Sequence, residues 1–115
     1  MSDAPILGAV NHVTNLDVVT DFERKHTPYL AAESAKGGMR ITAAVGYYAP
    51  HPNSPDHFIN WIELVVGDAT LARFDLSPVA TQPDVSIVVT IDPGTTIRAV
   101  AHCNLHGLWV AEIAV

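Results

Sequence analysis

A chain of 115 residues suits one domain with a modest core, and 49% hydrophobic with 16% charged residues is a globular composition, not a disordered one. Twelve acidic residues against six basic ones leave a net charge of −6, which excludes a nucleic-acid binder working through a basic stripe and gives no attraction to an anionic membrane surface. No apolar run is long enough to span a bilayer, and Met1-Ser2-Asp3 lacks the basic start of a signal peptide, so a single cytoplasmic domain over 1–115 is expected.

Along the chain, a strand is expected around Ile6–Val10 and a short helix near Val18–Lys25. Ala31–Gly38 reads as a loop with room for one helical turn before Gly37-Gly38. Ile41–Val45 is a β-branched run, followed by the Pro-rich loop Pro50–Pro55. Further runs occupy Phe58–Val66, Leu71–Leu76, Ser86–Ile91, Thr96–Ala101 and Trp109–Val115. Turn chemistry separates them at Gly67-Asp68, Ser77-Pro78, Gln82-Pro83-Asp84 and Asp92-Pro93-Gly94. Thr96–Ala101 alternates, with Ile97, Ala99 and Ala101 on one face. Short strands at this spacing predict an all-β fold, an antiparallel β-sandwich.

Cys103 is the lone cysteine, so no intramolecular disulfide forms. The six histidines matter for their placement. His51 and His57 bracket the Pro-rich loop and can meet at its base. Cys103-Asn104-Leu105-His106-Gly107 lets a thiolate and an imidazole from one tight turn reach one ion, with the glycine easing the turn. His26, in Lys25-His26-Thr27-Pro28, is expected in an extended loop imposed by the proline. All lie at strand ends or loops, where sites are built. His12 and His102 are left out, because alternation through Ala101–Cys103 turns His102 away from the face used by Cys103.

Imidazoles with a thiolate leave zinc, copper and iron open. Structural zinc favours a closed tetrahedral site with more cysteine. A small β-sandwich with a Cys and then a His near its end fits the outline of a blue-copper protein. That site normally takes a weak axial methionine after the last histidine, and both methionines here, Met1 and Met39, lie upstream. A non-catalytic copper or iron electron-transfer module is therefore the alternative to an enzyme.

Three motifs, in order, resemble superoxide reductase of the one-iron type (neelaredoxin), related to the iron domain of desulfoferrodoxin. They are Lys25-His26-Thr27-Pro28, His51-Pro52 followed by His57-Phe58-Ile59-Asn60-Trp61-Ile62, and Cys103-Asn104-Leu105-His106-Gly107-Leu108-Trp109. The resemblance covers about residues 20 to 112. It implies an immunoglobulin-like sandwich of about seven strands and one mononuclear non-haem iron, cycling between Fe2+ and Fe3+. His26, His51, His57 and His106 would lie in one plane around it, with Cys103 axial and the opposite position open. The implied activity is reduction of superoxide to hydrogen peroxide, an oxidative-stress detoxification fed by a rubredoxin-like electron donor, in a homotetramer. Lys25 would lie near the open position as the catalytic residue that steers superoxide. Trp109 would pack beneath the site.

Two positions depart from the pattern. Arg24 replaces the family's glutamate, with Glu23 one place earlier. Arg24 is expected to add to the attracting charge, and Glu23 to stay away from the iron unless its loop shifts. Asn53 stands where many relatives have methionine, with no chemical cost expected.

Overall fold

The computed structural model describes residues 10–115. Its elements are β1 (Val10–His12), a 3-10 turn (Leu16–Val18), α1 (Asp21–His26), β2 (Tyr29–Ala35), β3 (Gly38–Ala44), β4 (Ile59–Val66), β5 (Ala69–Asp75), β6 (Asp84–Val89), β7 (Thr96–Cys103) and β8 (Gly107–Ala114). The strand expected over Ile6–Val10 lies outside the described residues except at Val10, which opens β1. No helix among the described residues is long and apolar enough to cross a membrane.

Two sheets form the all-β sandwich, in the orders β1-β8-β7-β4-β5 and β2-β3-β6. The described residues hold eight strands instead of about seven, and β1 pairs with β8 in parallel, so the sandwich is not wholly antiparallel. The additional strand is β2, where a loop was expected. Alanine, glutamate and serine favour strands only weakly, but β2 lies in register against β3, Tyr29 opposite Ala44 through Ala35 opposite Gly38. Pairing outweighs propensity here, because β3 supplies the hydrogen bonds and sets Arg40 opposite Glu33.

Between the sheets lie Ile41, Ala43, Ile62, Leu64, Ile97, Ala99, Ala101 and Cys103, all with no exposed surface. Each fully buried isoleucine or leucine contributes about 1.5–3 kcal/mol. The alternation expected for β7 places Ile97, Ala99, Ala101 and Cys103 inward, with His102 on the opposite face. There His102 stacks on Trp61 at 5.5 Å and 7°, and the Arg73 guanidinium covers that indole at 4.4 Å.

Two irregularities position the histidine and cysteine side chains. The β4–β7 register slips between Ile59 and Trp61, so Asn60 is an extra residue while Ile59 stays opposite Cys103. The β7–β8 hairpin closes through Asn104, Leu105 and His106, with Gly107 at φ 79°.

Gly38 begins β3 where it crosses β6, and a Cβ there would run into the Val89 carbonyl. Gly38→Ala should therefore destabilise the protein by about 1–3 kcal/mol. Urea unfolding of the metal-free protein measures this, and an unchanged midpoint would contradict the close approach of β3 and β6.

Candidate metal centre

The segment bearing His26 is built by local rules. Thr20 caps α1, its hydroxyl accepting the Glu23 N–H at 3.1 Å while the Glu23 carboxylate accepts the Thr20 N–H at 3.0 Å. His26 is the last residue of this helix and not part of an extended loop. Thr27, directly before Pro28, is the residue that takes the extended form, at φ −70° and ψ 124°. One helical turn back from His26 stands Phe22. Its carbonyl lies 2.7 Å from His26 Nδ1. A carbonyl can only accept, so Nδ1 carries the proton and Nε2 keeps its lone pair. The His26 ring stacks on Trp109, 4.8 Å away at 19°, and the Trp109 indole N–H donates to the His106 carbonyl at 3.1 Å. Trp109 thus braces both His26 and the hairpin turn.

His51 follows the end of β3, and its Nδ1 donates to the Pro52 carbonyl at 2.6 Å, which again frees Nε2. His57 closes the loop that His51 opens, because Ser54 and His57 exchange backbone hydrogen bonds at 3.0 and 3.2 Å. Asn104, inside the Cys-x-x-His turn, then grips both flanks of His57. Its Oδ1 accepts the Phe58 N–H at 2.9 Å and its Nδ2 donates to the Asp56 carbonyl at 3.0 Å. Neither Phe22 nor Asn104 stood out as a site residue in the sequence. The signals were there, one four residues before a histidine on a helix, the other between Cys103 and His106.

One potential ligand atom from each of His26, His51, His57 and Cys103 lies within 4.8 Å of the others. Nε2 of all three histidines is buried and has no hydrogen-bond partner among the described residues. Burying three imidazole nitrogens unsatisfied is costly, and an ion among them removes that cost. Three nitrogens and a sulfur form a donor set for a borderline transition metal, iron included, and not for a hard ion such as calcium. His106 is exposed and outside this group of four, but its ring centroid is 5.1 Å from those of both His26 and His57. His12 is exposed at the end of β1, and His102 bonds Asn60 Oδ1 through Nδ1 at 2.6 Å.

Charge around the group is asymmetric. The Arg24 guanidinium bonds Asp21 at 3.0 Å, so its charge is compensated and adds little attraction, contrary to expectation. The Glu23 carboxylate is committed to the cap and does not approach the group. Lys25 is half-buried, and none of the ion pairs among the described residues includes it. Its charge, the like charges of neighbouring imidazoles and, above all, burial make His26, His51 and His57 harder to protonate. His51 falls to about 4.

These imidazoles are therefore neutral at physiological pH, the form that binds a metal. Between about pH 4 and 6.5 the unfolded chain binds more protons than the folded one, so stability rises with pH in that window. The melting temperature of the metal-free protein should accordingly fall as pH drops from 7 to 4.5. A flat profile would contradict the burial of these rings.

Comparison with known proteins agrees with this arrangement. The desulfoferrodoxin family model matches residues 18–112. A superoxide reductase of Pyrococcus abyssi is 31% identical over 100 residues, covering 77% of this chain and 85% of that protein. Among solved structures, a superoxide reductase (neelaredoxin) from Ignicoccus hospitalis aligns with a TM-score of 0.78 at 28% identity, covering 92% of each chain. Superoxide reductase from Nanoarchaeum equitans aligns at 0.73 and 27%, covering 80% of this chain and 94% of that one. With the match running from before α1 into β8 and taking in every residue of the imidazole–thiolate group, the chain belongs to the desulfoferrodoxin family.

Proposed function

We propose that this protein is a superoxide reductase, a single domain holding one mononuclear non-haem iron through His26, His51, His57, His106 and Cys103. The observation that carries the reading is the trio of buried, unpartnered Nε2 atoms beside the Cys103 thiol. When bound, the iron supplies one electron to superoxide, which with two protons becomes hydrogen peroxide. A rubredoxin-like carrier returns the electron and the chain works as a homotetramer, both implied by the resemblance that the three sequence motifs carry.

The side chains prepare the site for that chemistry. The imidazoles of His26, His51 and His57 stay neutral and add no charge, so a divalent ion and one thiolate would retain a net positive charge that attracts an anion. Cys103 has no exposed surface, which shields its sulfur from oxidants in solution. Lys25, which forms no ion pair among the described residues, brings its ammonium charge to the imidazole cluster. It raises the local concentration of superoxide against the overall charge of −6, because distant surface charges are screened and a near one is not. Phe22, with its ring centroid 4.9 Å from that of His106, forms an apolar rim beside the cluster.

Aerobic oxidation should produce a visible thiolate-to-iron absorption band, and the reduced protein should consume superoxide in pulse radiolysis. Cys103→Ser should abolish the band and the fast reaction; a variant that kept both would remove Cys103 from the site. A copper or iron electron carrier would show no fast reaction with superoxide. Lys25→Ala should slow the second-order step about tenfold and flatten its dependence on ionic strength. An unchanged rate would leave Lys25 without a steering role.

A further inference from the structure

Val79 stands at φ 67°, the only non-glycine residue with positive φ among the described residues. A β-branched side chain clashes with its own backbone in that region, and Val79 is 56% exposed, so no core burial compensates. The compensation comes from Asn53. Its Oδ1 accepts the Val79 N–H at 2.8 Å, and its Nδ2 reaches the carbonyls of Val79 and Thr81 at 3.4 and 3.3 Å. Asn53 is the second residue after His51, within the loop that His57 closes.

The turn it holds is the middle of a strap, residues 76–83, tied down at both ends. The Leu76 N–H donates to the Asn60 carbonyl at 2.9 Å, just beyond His57. The Pro83 carbonyl accepts the Val45 N–H at 2.9 Å, just before the loop begins. The strap thus joins the two stems of the histidine loop, and Asn53 fastens the loop's tip to its centre. Asn104 secures the His57 side from the hairpin turn, and Asn53, two residues after His51, secures the other side from the strap.

We propose that Asn53 is a positioning residue: it latches the histidine loop onto the 76–83 strap and so sets His51 and His57 at ligand distance before the metal arrives. The strained backbone at Val79 is the form that presents its N–H and carbonyl to one amide side chain. Asn53 touches neither metal nor substrate and acts through the two histidines. The proposal rests on the metal reading above, and a test with cobalt separates the two.

Cobalt(II) is loaded into the metal-free protein, its thiolate-to-cobalt band is recorded, and the ion is then withdrawn by excess EDTA. The wild-type protein should show the band. Asn53→Ala should bind cobalt but release it about five- to tenfold faster, the consequence of losing one well-formed hydrogen bond and two longer ones. Asn53→Asp keeps the acceptor for the Val79 N–H but sets a second acceptor oxygen against the Val79 and Thr81 carbonyls, so it too should release cobalt faster than wild type. Val79→Gly should release cobalt at the wild-type rate and melt at a higher temperature, because glycine adopts this φ without strain. If Asn53→Ala releases cobalt at the wild-type rate, the latch is overturned even if that variant melts earlier, since the side chain would then be only a surface brace. Absence of a thiolate band in the wild-type protein would instead overturn the metal reading itself.

Discussion

Three imidazole nitrogens buried with no hydrogen-bond partner among the described residues are the constraint on which this molecule turns. Two of the three are set by backbone carbonyls, of Phe22 and Pro52, that take the Nδ1 proton of His26 and His51. That arrangement commits Nε2 to an electron-pair donor facing the third imidazole and a buried thiol. A fold that buries these atoms gives up desolvation energy that no hydrogen bond among the described residues returns, and a metal ion between them returns it. The same desolvation keeps the rings neutral, so the feature that burdens the metal-free protein is also the one that readies it for an ion.

The sandwich supports this at a few points. The core strands β4 and β7 bring Ile59 opposite Cys103, and the extra residue Asn60 shifts the register there without breaking the sheet. A three-residue hairpin turn makes Cys103 and His106 near neighbours. Asn104 in that turn binds the backbone on both sides of His57, so two segments distant in sequence share one anchor. A six-residue helix, too short to be stable alone, is held by its capping box and by the aromatic cluster of Phe22, His26 and Trp109.

Much of this was legible in the residues. The alternation of Thr96–Ala101 and the turn dipeptides marked the strands, because half-buried strands leave a period-two pattern. The spacing of His51, His57, Cys103 and His106 marked a metal site, and the family motifs narrowed it toward iron. What escaped depended on long-range partners. Ala31–Ala35 carries no strand signal of its own and is extended because β3 lies beside it. The extended loop expected at His26 falls on Thr27 alone, because a proline restricts only the residue directly before it, and His26 stays helical. Arg24 looked like free charge, but the helix sets Asp21 three residues before it. Asn53 looked inconsequential, since its partners Val79 and Thr81 are more than twenty-five residues away.

One iron bound by the four imidazoles and the thiolate together is what the whole arrangement implies. X-ray absorption at the iron edge of the loaded protein tests it most directly. One sulfur and four nitrogen scatterers should surround each iron. An iron environment without sulfur, or with nitrogen and oxygen ligands alone, would contradict it.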